Sequence, residues 1–405
     1  MRRIDTRAFT RATRSTSRDI NRQIVLNLVR EHQPISRADV ARRMGVPRGT
    51  AASLVNQLIA AGSLVEGPVH DTPRGRKPVM LFVRTEDRLV IAVDVRSSRT
   101  YVLLADLATN PIAEISFETP TSAGELIEEL SRRIEALRST HGARGELEGI
   151  GVAVSGMVDD AGTILYAPQL GWRLVPLRDE LAEATGLPVH VENASNACAL
   201  GHMWLVRQAG ASAGDFAYVN VSDGVGVGLV VGGQLVRGSG HAAGEFGHIP
   251  IESNGPVCLC GSRGCWEIFT SNLATLARYL GHEPSAAESR RLMRQRDISM
   301  RDVVAGARAG DAAAVAAIGA TAHYLGIGLG ILVNTLNPAR IIVGGEICGV
   351  WELVADELAD SVAARGMTVE AQRTPIVPEA GSVRPRLRGA IALVAAPLFA
   401  APQVA

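Results

Sequence analysis

The segment Cys258-Leu-Cys260-Gly-Ser-Arg-Gly-Cys265, with His248 ten residues ahead of it, constrains this chain more than any other stretch. Three thiols and one imidazole within eighteen residues supply the ligand number and softness of a tetrahedral zinc site. Gly261 and Gly264 allow the backbone to turn back, so that Cys260 and Cys265 can face one ion. The competing reading is a disulfide, or inert buried thiols. Cys258 and Cys260 are separated by a single residue, too close for an easy mutual disulfide. The expectation is therefore a Zn²⁺ site with ligands His248, Cys258, Cys260 and Cys265.

A chain of 405 residues is too long for one ordinary core, so two or three domains are expected. Hydrophobic residues at 47% and charged residues at 20% suit a soluble globular protein. No apolar run reads as long enough to cross a membrane, and Tyr324 to Leu336 is read as a short buried helix. The arginine-rich N-terminus lacks an apolar signal core, which points to the cytoplasm. Five cysteines, three of them clustered, fit a reducing compartment with one metal site.

The net charge of zero conceals a division. Residues 1–88 hold 17 Arg and Lys against 8 Asp and Glu, and the remainder is acidic by the same surplus of nine. A basic head on an acidic body points to a polyanionic partner for the head. After a basic tail over residues 1–18, the spacing of Ile20, Ile24 and Leu28 predicts a helix that Pro34 ends. Ser36 caps a second helix, Arg37 to Met44, with Asp39 at its third position, and Gly45 breaks it. A third helix runs from about Pro47 to Ala61.

Two helices joined by a tight glycine turn form a helix-turn-helix, although an ordinary helical hairpin would show the same pattern. The surplus of positive charge favours the DNA-binding form. Arg48, Thr50, Ser53 and Asn56 of the third helix are the candidates for contacts in a major groove. Leu64-Val65 and Val79 to Val83 read as two strands of a wing, and between them lies Pro73-Arg74-Gly75-Arg76-Lys77-Pro78. Arg74, Arg76 and Lys77 resemble an AT-hook, which lies in a narrow A·T minor groove where negative potential attracts arginine. The winged helix-turn-helix domain is placed at residues 19–85.

From residue 86 to 405, apolar strands such as Leu89–Val95, Gly149–Gly156, Phe216–Val221 and Ile341–Gly345 alternate with helices, an α/β pattern in two similar lobes. Here Val221 to Gly228, Gly244-Glu-Phe-Gly-His248 and the Cys-x-Cys-Gly-x-x-Gly-Cys segment resemble the signature of the ROK family, which groups bacterial repressors, open reading frames and sugar kinases. With the basic head, the resemblance covers nearly the whole chain and points to the repressor branch. It implies an actin-like, ribonuclease-H-like sugar-kinase fold of two lobes behind an N-terminal winged helix-turn-helix domain. It also implies a structural zinc loop over residues 248–265, with four protein ligands and no open water position. Glu245, His248 and Glu267 would bind sugar hydroxyls, Asn193 would match the family's sugar-binding asparagine, and Gly156 would line the cleft. Glu245 and Glu267 have an alternative role in orienting the metal loop.

The resemblance breaks where catalysis would sit. Family kinases carry an aspartate directly after that asparagine, the general base on the sugar hydroxyl, and here Ala194 stands there. Arg96 follows Asp94-Val95 where a phosphate-binding turn needs glycine, and Ser222-Asp223-Gly224 replaces a Gly-Thr-Gly phosphate loop. The expectation is a non-enzymatic, sugar-controlled repressor that binds a pseudo-palindromic operator DNA as a homodimer or homotetramer. A bifunctional ATP-dependent sugar kinase with a DNA-binding head is the alternative. A regulator with a vestigial sugar site and a protein signal is a third reading.

Overall fold

The computed structural model describes residues 14–69, 78–208, 214–294, 298–379 and 384–400. The head is built on α1 (Arg14–His32), α2 (Arg37–Met44) and α3 (Arg48–Ala60). A small sheet of β1 (Ile35–Ser36), β2 (Leu64–Val69) and β3 (Val79–Val83) closes it, with β3 central and antiparallel to both neighbours. Ser36 and Asp39 cap α2 reciprocally: Ser36 Oγ accepts from Asp39 N at 3.2 Å, and Asp39 Oδ2 accepts from Ser36 N at 3.3 Å. Gly45 ends α2 in the left-handed conformation, with φ of 66°. α1 starts at Arg14, so residues 14–18, read from sequence as tail, are helical. They carry no apolar rhythm, and Arg18 is held by its Nε, which donates to Gln57 of α3 at 3.0 Å.

Among the described residues, two five-stranded sheets form the body. The first comprises β4 (Arg88–Val95), β5 (Arg99–Asp106), β6 (Pro111–Glu118), β7 (Glu146–Val154) and, after the short sheet β8 (Met157–Val158), β9 (Ile164–Ala167) and β10 (Trp172–Val175), β11 (Val189–Asn193). Helices α4 (Ala123–His141) and α5 (Leu177–Thr185) make the parallel crossovers to β7 and β11. Helix α6 (Ala194–Gln208) leads to the second sheet, made of β12 (Phe216–Val221), β13 (Val225–Val231), β14 (Gln234–Leu235), β15 (Arg340–Gly345) and β16 (Ile376–Pro378).

In both sheets the first three strands run antiparallel, and the fourth and fifth add parallel to the first. The orders β6-β5-β4-β7-β11 and β14-β13-β12-β15-β16 are the same topology twice. This is the two-lobed sugar-kinase architecture that the sequence implied.

The second lobe carries α7 (Trp266–Thr270), α8 (Asn272–Tyr279), α9 (Ala286–Arg294), α10 (Met300–Arg308), α11 (Ala312–Leu336), α12 (Trp351–Arg365) and α13 (Val369–Gln372). The last helix, α14 (Pro385–Phe399), lies against β4 and β7 of the first sheet and packs on α6, which covers β12 and β13 of the second. The apolar run near Tyr324 is longer than its sequence suggested. The alanine-rich stretch from Ala312 extends it into a 25-residue helix, long and apolar enough to cross a membrane. Here it is a core helix, with Ile318, Leu325, Leu329 and Leu332 buried in the second lobe.

Candidate functional site

The site lies between the lobes, in a cleft of about 320 Å³. Gly156, Tyr166, Gln169 and Asn193 line it from the first lobe, and Asn220, Glu245, His248 and Glu267 from the second. All five residues expected to meet a sugar line this one cleft.

Asn193 ends β11 and caps α6. Its Oδ1 accepts from Ser195 N at 2.8 Å and Asn196 N at 3.2 Å, while its Nδ2 donates to the Gly156 carbonyl at 2.8 Å. The side chain is therefore fixed in orientation before any ligand arrives. Glu245 and His248 share one 3₁₀ turn, with Glu245 Oε2 3.6 Å from His248 Nε2. Glu267 is buried at the start of α7, and its Oε2 accepts from Val225 N at 2.9 Å. Burial raises the carboxyls of both Glu245 and Glu267 above the ordinary range.

The other nitrogen of His248 faces the thiols. Nδ1 lies 3.8 Å from Cys258 Sγ, and Cys260 Sγ lies 3.7 Å from Cys265 Sγ. One ligand atom from each of the four residues falls within 4.8 Å of the others. A tetrahedral ion about 2.3 Å from each sulfur sets two sulfurs about 3.8 Å apart. The cluster fits that edge, and all five cysteines are free. Burial pushes the Cys258 thiol up, and the Cys265 thiol to about 12. A bound cation supplies the positive charge that thiolates need in such a place. These four residues can hold a metal ion.

The loop is shaped for this. Gly261 and Gly264 turn it at φ of 95° and 64°, as left-handed positions that favour glycine. Trp266, fully buried, ties it to α11 through its Nε1, which donates to Tyr324 O at 2.9 Å. Glu267 Oε1 lies 3.7 Å from Cys258 Sγ, so this carboxylate borders the metal cluster as well as the cleft.

Ala194 is buried beside Asn193 and offers only its methyl group to the cleft. Glu192 is no substitute base. Its Oε2 receives Arg237 Nη2 at 2.7 Å, and its Oε1 accepts from Asn193 N at 2.9 Å and Asn196 Nδ2 at 3.1 Å.

At the other end of the cleft, Arg96 folds onto Asp94 at 2.8 Å and reaches across to Glu346 at 2.9 Å. Arg386 of α14 holds the second oxygen of Asp94 at 2.6 Å. Ser97 Oγ donates to Asp223 Oδ2 at 2.9 Å, again from one lobe to the other. Arg96–Glu346 and Ser97–Asp223 thus bridge the two lobes at the positions where the sequence departs from the family's phosphate turns. Sequence reading also missed Gln169, whose Oε1 is buried without a partner among the described residues and which lines the cleft. It sits in the irregular segment between β9 and β10, with no motif to mark it.

In the head, Arg48, Thr50, Ser53 and Asn56 are all exposed, while Ala51, Leu54, Val55 and Leu58 of the same helix are buried. Arg37 Nη2 donates to Asn56 Oδ1 at 3.0 Å, and Gln57 Nε2 to Ser53 Oγ at 3.2 Å. Arg74, Arg76 and Lys77 lie outside the described residues.

A model of the ROK family matches residues 90–396. The chain belongs to the ROK family. The xylose repressor of Caldicellulosiruptor bescii is 30% identical over 399 residues, 96% of this chain and 98% of its own length. A glucokinase of Halalkalibacterium halodurans is 35% identical over 275 residues, 64% of this chain and 81% of its own. Among solved structures, a ROK family transcriptional regulator homologous to the Escherichia coli MLC protein superimposes with a TM-score of 0.77 at 26% identity, covering 95% of this chain and 97% of its own. The ROK repressor and regulator matches thus span nearly the whole chain, head included, which the glucokinase match does not.

Proposed function

We propose that this ROK protein is a sugar-responsive transcriptional repressor that does not phosphorylate its effector. The observation that carries the reading is the pairing of Asn193, fixed and facing the cleft, with Ala194 where a proton acceptor would be needed. Glu245, His248, Glu267 and Asn193 bind sugar hydroxyls, with Gly156 shaping the wall; carboxylates accept strong hydrogen bonds from them. Zn²⁺ held by His248, Cys258, Cys260 and Cys265 is structural, and it supplies the charge that keeps the loop folded with His248 at the cleft.

In the head, residues 19–85, α3 enters a major groove with Arg48, Thr50, Ser53 and Asn56, and Arg74, Arg76 and Lys77 reach the minor groove. Two such heads of a homodimer or homotetramer meet a two-fold operator in the cytoplasm. A sugar that binds one arrangement of lobes more tightly shifts the operator affinity.

Calorimetry with D-xylose, D-glucose and D-glucosamine tests the site. At least one sugar is expected to bind, and Glu245→Ala to weaken it about tenfold or more. No binding by any sugar, or equal binding by both proteins, contradicts the reading. The glucokinase relatives keep a kinase reading in view, and sustained ADP release with any of these sugars would establish it in place of ours.

A further inference from the structure

The head is joined to the body by more than its chain connection. Val25, Leu26 and Val29 of α1 belong to one buried apolar cluster with Leu387, Ile391 and Phe399 of α14 and Trp204 of α6. Arg30 is buried against that cluster, 6% exposed. Its guanidinium carbon lies 3.6 Å from the centroid of the Trp204 ring and 4.9 Å from that of Phe399, and its Nη2 donates to the Trp204 carbonyl at 3.1 Å. Nearly one turn earlier, Asn27 Nδ2 donates to the Phe399 carbonyl at 2.8 Å. The rings of Trp204 and Phe399 meet edge to face at 5.2 Å.

Trp204 belongs to the same helix whose first turn Asn193 caps. Ten residues separate it from Ala194, about 15 Å along a straight helix. Between these ends α6 crosses α14 at a close approach that only glycine permits. A Cβ on Gly389 would lie 2.2 Å from the Ala197 carbonyl oxygen, and one on Gly201 would lie 2.9 Å from Gly389 N. Helices packed this closely move as bodies and do not yield locally. Along the flank of α6 runs a cavity of about 560 Å³, bounded by Asn27 and Arg30 of the head, by Trp204 and Phe399, and by His190 and Glu192 behind the sugar cleft. The joint is therefore tight at one clamp and open beside it, which leaves the head room to tilt.

We infer that α6 is the rod that couples the cleft to the DNA-binding head, and that the Arg30–Trp204–Phe399 clamp is its contact with the head. Arg30 is a positioning residue: it faces neither the cleft nor the exposed side of α3. A ligand that moves Asn193 moves the capped end of α6, and the clamp delivers that movement to α1. This inference rests on the sugar-responsive reading for its purpose, although the mechanical link can be measured without a sugar.

Hydrogen exchange of the full-length protein reads that link. Asn193→Ala, which uncaps α6, is expected to speed exchange of the amides of residues 24–32 by about threefold or more, whereas Asn193→Ser, which keeps a cap, leaves them as they are. In an Arg30→Gln background, Asn193→Ala adds nothing further. An unchanged α1 when the first turn of α6 is frayed would overturn the inference.

The second arm titrates D-xylose, D-glucose and D-glucosamine into the complex of the protein with genomic DNA fragments that it selects. Arg30→Gln is expected to bind sugar and DNA as the wild type does, but to lose about tenfold of the sugar-induced change in DNA affinity. Trp204→Phe, with a weaker ring for the cation, is expected to show a smaller loss of the same kind. An undiminished response in Arg30→Gln overturns the coupling role. If no sugar changes DNA binding by the wild type, the sugar-responsive reading fails, and the exchange arm still decides the clamp.

Discussion

The two nitrogens of His248 face opposite ways, Nδ1 toward the thiols and Nε2 toward Glu245 at the cleft. One ring thus joins the metal loop to the ligand site, so loss of metal should disturb both. Elemental analysis is expected to find one zinc per chain in the wild type and none in Cys260→Ser, and the substitution is expected to cost roughly 4 kcal/mol or more in urea unfolding. Full stability without metal would show that the cluster does not brace the loop.

Asp223 makes a prediction of another sign. It is half-buried in the interlobe region with Ser97 as its hydrogen-bond donor, and the loss of water around it raises its carboxyl above the ordinary range. A carboxyl with a raised native pKa costs stability when ionised, above that pKa, and costs none below the unfolded value. Asp223→Asn should therefore unfold at higher urea concentration than the wild type at pH 8. The difference should shrink as pH falls below the native pKa and be gone below the unfolded value. A mutant less stable at pH 8 would show that the ionised group is net favourable.

Among the elements, those with local signals could be read before the fold. The cap of α2 was legible because Ser36 and Asp39 act within one turn, and Ser36→Ala is expected to cost about 1 kcal/mol, seen as faster exchange in α2. The metal loop was legible because its spacing alone brings the ligands together. What escaped the sequence is pairing between distant elements. Arg96 and Glu346 are 250 positions apart, and Arg30 and Trp204 are 174 apart. Nothing local in either residue says which partner the topology will bring. The start of α1 escaped for a different reason, since residues 14–18 are all polar and show no apolar period.

On the scale of the whole molecule, one topology used twice creates the cleft, and side chains now cross it on both sides of the pocket. Glu192–Arg237 closes one side, and Arg96–Glu346 with Ser97–Asp223 closes the other. Restoring a base alone should therefore not restore a kinase. Ala194→Asp is expected to release no ADP above background with D-glucose or D-xylose and ATP in a coupled assay, because the interlobe contacts of Arg96 and Asp223 stay in place. Turnover by that variant would mean that the crossing contacts yield readily to nucleotide.

The most direct test of a sugar-responsive repressor is fluorescence anisotropy of a labelled DNA duplex that the protein selects from genomic fragments, titrated with D-xylose, D-glucose and D-glucosamine. We expect tight binding that at least one of these sugars weakens about tenfold or more in the wild type, and no such change in Glu245→Ala. DNA binding indifferent to every sugar, or equally sensitive in Glu245→Ala, would contradict the account.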